Sequence, residues 1–137
     1  ATLVIKKVYN ASQERVFRVW ANPEEVATWY GPEGMKNTVH EMDVREGGSY
    51  RDAMKAPDGA EHIVRGTFRT VNPPHKLTMT WQWEGMPDET LVTVDIKDIG
   101  GKTEMTMTHS GFADVAAKEN HDKGWSSSFN KLESLLR

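Results

Sequence analysis

The chain contains no cysteine. That absence excludes disulfide cross-links, thiolate zinc sites, iron–sulfur clusters and cysteine nucleophiles, and nothing then demands an oxidising compartment. Long apolar runs are also missing. No stretch approaches the roughly 20 apolar residues that a spanning helix needs, and Ala1–Asn10 lacks signal-peptide character. The expectation is a cytoplasmic protein with no membrane insertion. An excess of positive charge is lacking too: 17 basic residues face 20 acidic ones, for a formal charge of −3. A nucleic-acid binder needs a basic stripe to neutralise phosphates. Lys6-Lys7 and the scattered Arg51, Arg65 and Arg69 read instead as solvated strand faces. Nor is there a Gly-x-Ser-x-Gly elbow, a phosphate-cradling Gly-Lys-Ser/Thr loop or a dinucleotide fingerprint. No cofactor and no nucleic-acid partner are expected.

What is present fits one domain spanning 1–137. A chain of 137 residues can bury about two-thirds of its unfolded surface and needs no staples. Its 5 Trp and 7 Met suit either an irregular apolar cavity or an ordinary core.

Thr2–Tyr9, rich in Val, Ile and Leu, predicts a strand. Ser12 then suits a helix N-cap, with Glu14 in the first turn and Val16, Phe17 and Trp20 at helical spacing over Gln13–Ala21. Asn22-Pro23 stops that helix and starts a second, with Val26, Trp29 and Tyr30 inward and Gly31-Pro32 at its end. From Asn37 the period changes to two. Gly47-Gly48, Pro57-Asp58-Gly59, Asn72-Pro73-Pro74, Pro87-Asp88 and Gly100-Gly101 punctuate short alternating segments. The clearest is Leu77–Trp83, with Leu77, Met79, Trp81 and Trp83 on one face and Thr78, Thr80 and Gln82 on the other, expected wet, face. About six to seven strands follow, six of them consecutive, which predicts an antiparallel meander. One apolar face needs a cover. Counting from His121, the positions Trp125, Ser128, Phe129, Leu132 and Leu136 form one helical stripe between Asp114 and Arg137. The fold class is therefore α+β: a curved antiparallel sheet wrapped around a long C-terminal helix, with two short helices after the first strand. Gly124, at a helical position beside Trp125, implies a close approach or a bend there.

Several segments carry a resemblance when taken in order: Ala11–Trp20, Trp29-Tyr30-Gly31-Pro32, Gly47–Arg51, Pro73–Leu77, Thr108–Phe112, and His121 followed by Gly124-Trp125 and Leu132. Together they resemble the bacterial branch of the SRPBCC (START/Bet v 1-like) superfamily named after the activator of the ninety-kilodalton heat-shock chaperone's ATPase. The resemblance implies a helix-grip fold. It also implies a cavity between the sheet and the long helix, which relatives use for lipid-, sterol- or polyketide-like ligands. The residues expected to line it are Trp29, Tyr50, Met54, Phe68, Met79 and Trp81, with Trp83, Met107, His109, Trp125 and Phe129. Plain core packing is the competing account of Met79, Phe68 and Phe129. Trp81 and Trp83 put two bulky indoles on one strand face, and each N–H wants a partner when buried.

His109 lies on the inward face of its strand and His121 on the inward stripe of the helix. The two are placed to meet near the cavity, with Asp52 or Tyr50 opposite. No ligand spacing links them, so a hydrogen-bonded buried histidine is expected rather than a metal site or an acid–base pair. Of the Ser126–Ser128 run only Ser128 is expected to face inward.

The leading expectation is binding of a hydrophobic or aromatic small molecule, with no catalytic residue assigned. The alternatives are an enzyme using His109 and Tyr50 for acid–base chemistry, and a chaperone ATPase-stimulating regulator. A chaperone partner is disfavoured because the resemblance covers only the C-terminal type of domain. A homodimer is left open.

Overall fold

The computed structural model describes residues 1–136. The first strand, β1 (Thr2–Tyr9), leads into two short helices, α1 (Gln13–Ala21) and α2 (Pro23–Trp29). Six strands follow: β2 (Lys36–Met42), β3 (Ser49–Lys55), β4 (Glu61–Asn72), β5 (Lys76–Trp83), β6 (Thr90–Asp98) and β7 (Thr103–Ser110). The helix α3 (Val115–Leu135) closes the described chain. The sheet order is β1-β7-β6-β5-β4-β3-β2, and every neighbouring pair is antiparallel.

The helix starts have identifiable local causes. Ser12 Oγ accepts the Arg15 N–H at 3.2 Å, and Asn22 Oδ1 accepts that of Glu24 at 2.9 Å. Asp114 Oδ1 does the same for Ala117 at 2.8 Å. Each cap satisfies a backbone donor that the first turn leaves unpaired. Glu25 of α2 takes both Arg15 and Arg18 of α1, which locks the angle between the two short helices. Trp29 then donates its indole N–H to the Val19 carbonyl at 2.8 Å, tying α2 to α1 from inside.

The core sits on the concave side of the sheet. Leu77, Met79 and Trp81 from β5, Val92, Val94 and Ile96 from β6, and Met105 and Met107 from β7 point into it. α3 presents Trp125, Ser128, Phe129 and Leu132, the stripe that the helical spacing predicts. Trp20 of α1 joins the layers. Its ring centroid lies 4.7 Å from that of Trp29, 5.7 Å from that of Trp125 and 6.1 Å from that of Phe129.

Two features depart from simple alternation. Thr78 and Thr80 are buried, although the period-two pattern places them on the wet face. The β4 ladder shifts register between Phe68 and Thr70, and Thr80 Oγ1 accepts the Thr67 N–H at 2.8 Å. A bulge of this kind bends its strand, and here the Thr67 and Gly66 backbone presses onto Thr80. Gly66 makes the approach possible, since a Cβ there would lie 2.0 Å from the Thr80 carbonyl oxygen. The second departure is β1. It leaves the meander and pairs with β7, with Leu3 opposite His109 and Ile5 opposite Met107. Gly47-Gly48 turns β2 into β3 as expected, with Gly48 packed on the Asp43 carbonyl and Gly47 donating to Phe68.

Candidate functional site

A cavity of about 680 Å³ lies between the sheet and α3. Three parts of the chain enclose it. The segment after α2 supplies Tyr30, Gly31, Pro32 and Met35; the strands supply Met54, Ile63, Trp81 and Trp83; α3 supplies Ala117, His121, Gly124, Trp125 and Ser128. The exposed residues Glu61, His62, Glu84, Met86 and Asn120 form its mouth.

Met54, Trp81, Trp83 and Trp125 thus stand on the cavity wall, where the sequence places them. Trp29, Tyr50, Phe68, Met79, Met107, His109 and Phe129 are buried behind that wall, in the core that supports it. The strand pattern identifies inward-facing residues and cannot tell how deep each sits. Tyr30, Met35, Ile63 and Met86 were not among the expected lining residues. Met35 and Met86 come from loops and Ile63 from a strand start, where periodicity carries little signal, while Tyr30 was read as inward but not as lining. Gly124 was the available clue. A Cβ added there would meet only Pro32 Cγ, at 3.9 Å. No backbone presses on this glycine; its missing side chain is part of the cavity's volume.

Two tryptophan–histidine bonds hold the wall. Trp125 Nε1 donates to His109 Nδ1 at 3.0 Å, and Trp83 Nε1 donates to His121 Nε2 at 2.9 Å. The other ring nitrogens are engaged as well. His109 Nε2 lies 2.6 Å from Thr90 Oγ1, which itself donates to the Trp81 carbonyl at 2.9 Å. His121 Nδ1 lies 2.7 Å from the Ala117 carbonyl. These partners assign the tautomers: His109 carries its proton on Nε2 and His121 on Nδ1, and both rings are neutral. Burial pushes His109 down to about 3, and the nearby His121 adds to the effect.

The two histidine rings pack with centroids 5.2 Å apart, so they meet as the sequence suggests. Asp52 does not join them. Its carboxylate accepts from Asn37 Nδ2 at 3.4 Å, and burial raises its pKa to about 7 against the opposing effect of that bond. Among the described residues no group of three His, Asp or Glu side chains converges as a metal site would require. Tyr50 donates its hydroxyl to the Thr80 carbonyl, and Ser128 donates to the Gly124 carbonyl at 2.9 Å. Trp81 Nε1 is buried with no hydrogen-bond partner among the described residues.

The comparisons place this arrangement in a family. Residues 10–137 match the profile of the "Activator of Hsp90 ATPase homolog 1-like protein" family. The chain belongs to that family. Solved structures agree on the helix-grip fold. A protein of Chromobacterium violaceum shares 28% identity and superposes with a TM-score of 0.93, over 98% of this chain and 96% of that one. A family protein of Silicibacter pomeroyi, at 24% identity, gives 0.89 over 99% and 97%. A solution structure from Arthrobacter aurescens, at 22% identity, also gives 0.89, over 98% and 85%. No curated protein matches the chain. Among the described residues no helix is long and apolar enough to cross a membrane. In this activator-homologue chain the sheet and α3 meet as the helix-grip architecture requires, with the cavity between them.

Proposed function

We propose that this protein binds a hydrophobic or aromatic small molecule in the cavity between its sheet and α3. The observation that carries the reading is the cavity itself. It holds about 680 Å³, is open to solvent, and is walled by three tryptophans and several methionines. Small-molecule sites have this size and this mostly apolar lining.

The state of the buried polar groups favours binding over acid–base catalysis. His109 has both ring nitrogens occupied and stands behind the wall, and the Tyr50 hydroxyl is spent on a backbone carbonyl. A general acid or base must reach the proton that it moves. Neither side chain is free to do so.

The test is thermal stabilisation of the purified protein against lipids, sterols, flavonoids and aromatic metabolites, followed by tryptophan fluorescence on any hit. A ligand present at 100 times its dissociation constant adds about 2.7 kcal/mol. The expected result is a reproducible shift that Gly124→Leu abolishes, since a leucine there extends into the cavity. A flat response across the library, or hits that Gly124→Leu leaves unchanged, would overturn the reading.

A further inference from the structure

We infer that the ligand is a hydrophobic cation, an amine or quaternary ammonium carried on an aromatic or aliphatic body, and not a fatty-acid-like carboxylate. The inference rests on the reading of the cavity as a binding site and adds the charge class of its occupant.

The first ground is the balance of donors and acceptors. The cavity's side-chain donors are almost all spent within the protein. Trp83 and Trp125 give their N–H groups to the two histidines, and His121 gives its own to the Ala117 carbonyl. Ser128 gives its hydroxyl to Gly124, and Trp81 Nε1 is sealed from solvent. What remains on offer is electron-rich: indole and phenol ring faces, methionine sulfurs and carboxylates. A ligand carboxylate needs several donors to replace its water. Among the described residues the lining's unspent side-chain donors are the buried Trp81 Nε1 and, at the mouth, Asn120 and His62.

The second ground is charge. Among the described residues no lysine or arginine lines the cavity, while Glu61 and Glu84 stand at its mouth. Glu84 is bound to Arg51 at 2.7 Å; Glu61 forms no ion pair among the described residues. Glu61, left without an ion pair among the described residues, favours an entering cation over an anion.

The third ground is the arrangement of the rings. Trp81 sits at the centre, with Trp125 at 5.0 Å, Trp83 at 5.7 Å and Tyr30 at 6.1 Å between centroids. Trp83 stands nearly perpendicular to Trp81, at 89°, and Tyr30 to Trp125, at 86°. At these separations the rings pack on one another, and the aromatic surface that Trp81, Trp83 and Trp125 present to the cavity attracts an ammonium group through the ring quadrupole. Methyl or methylene groups around the nitrogen would meet the same faces favourably.

Three probes with a common body test the inference: naphthylpropyl-trimethylammonium, naphthylpropanol and naphthylbutanoate, titrated calorimetrically against the intact protein at neutral pH. The ammonium is expected to bind about 10-fold tighter than the alcohol, within the range of a desolvated cation–π contact, and the carboxylate weakest. Glu61→Gln, an exposed change, should weaken the ammonium about 3-fold and leave the alcohol unaltered, as expected for one screened charge contact. Gly124→Leu should remove the binding of all three. If the alcohol or the carboxylate binds as tightly as the ammonium, and Gly124→Leu still blocks it, the charge inference falls and the pocket stands. If none of the three binds, both fall.

Discussion

Trp125 donates its indole N–H to His109 Nδ1 at 3.0 Å, and this bond makes His109 a neutral acceptor in the core. Protonating that nitrogen would break the bond and leave a charge in a fully buried position. Burial above all, with the nearby His121 adding to it, lowers the His109 pKa from 6.5 to about 3. In the unfolded chain His109 takes a proton near its ordinary value. Its contribution to stability is full above pH 6.5 and is lost as the pH falls towards about 3.

Asp52 has the opposite effect. Its pKa rises from 3.8 to about 7, so between those values the folded state holds a proton that the unfolded state has released. Stability from this group rises as pH falls through that window. In the overlap the two slopes, each about 1.4 kcal/mol per pH unit, cancel. The wild-type protein should show a flat stability profile from these two groups between pH 4 and 6. Urea denaturation at a series of pH values checks it.

Asp52→Asn should remove one of the opposing slopes. The amide of Asn at this position can still accept from Asn37 and can also donate to Asn37 Oδ1, which has no partner among the described residues. Above pH 7 the variant should be more stable by up to about 4 kcal/mol, because no carboxylate is forced to ionise in the core. Below pH 6 it should lose stability with acid, following His109 alone. A variant no more stable than the wild type at pH 8 would contradict the placement of Asp52.

His109→Gln should show the mirror image. Glutamine can accept from Trp125 and donate to Thr90 with less suitable geometry, at a cost of about 1–3 kcal/mol at neutral pH. Its remaining slope belongs to Asp52, so stability should rise as the pH drops from 7 towards 4. Denaturation midpoints at pH 5 and pH 7.5 separate the two cases.

Gly124→Ala should stabilise the protein by about 1 kcal/mol, through helix propensity. The added methyl group meets Pro32 at an ordinary contact distance and costs no strain. Melting temperatures of the alanine and leucine variants, read beside their ligand affinities, distinguish a helix effect from a filled cavity.

Tyr50→Phe should cost about 1–2 kcal/mol, since it leaves the Thr80 carbonyl short of a buried donor. Ligand affinity should stay unchanged, because the ring stands behind the cavity wall and the phenyl group keeps its packing on Phe68, 5.5 Å away. A large loss of affinity with little loss of stability would place the hydroxyl in the site.

The element order was legible because local chemistry writes it. Caps at Ser12 and Asn22, the period-two run at Leu77–Trp83 and the helical stripe from Trp125 to Leu136 each follow from interactions within a few residues. The inward apolar faces were legible for the same reason, and so the sequence alone determined which large apolar side chains of β5 and α3 leave water. Depth was not. Trp81 and Met79 share one face of β5, yet only Trp81 reaches the cavity. The tertiary structure decided three further matters: the return of β1 to β7, the burial of Thr80 beneath a bulged β4, and the pairing of each histidine with a tryptophan far away in the chain. These depend on where distant segments come to rest, and the energy that selects them is spread over the whole core rather than carried by any local pattern.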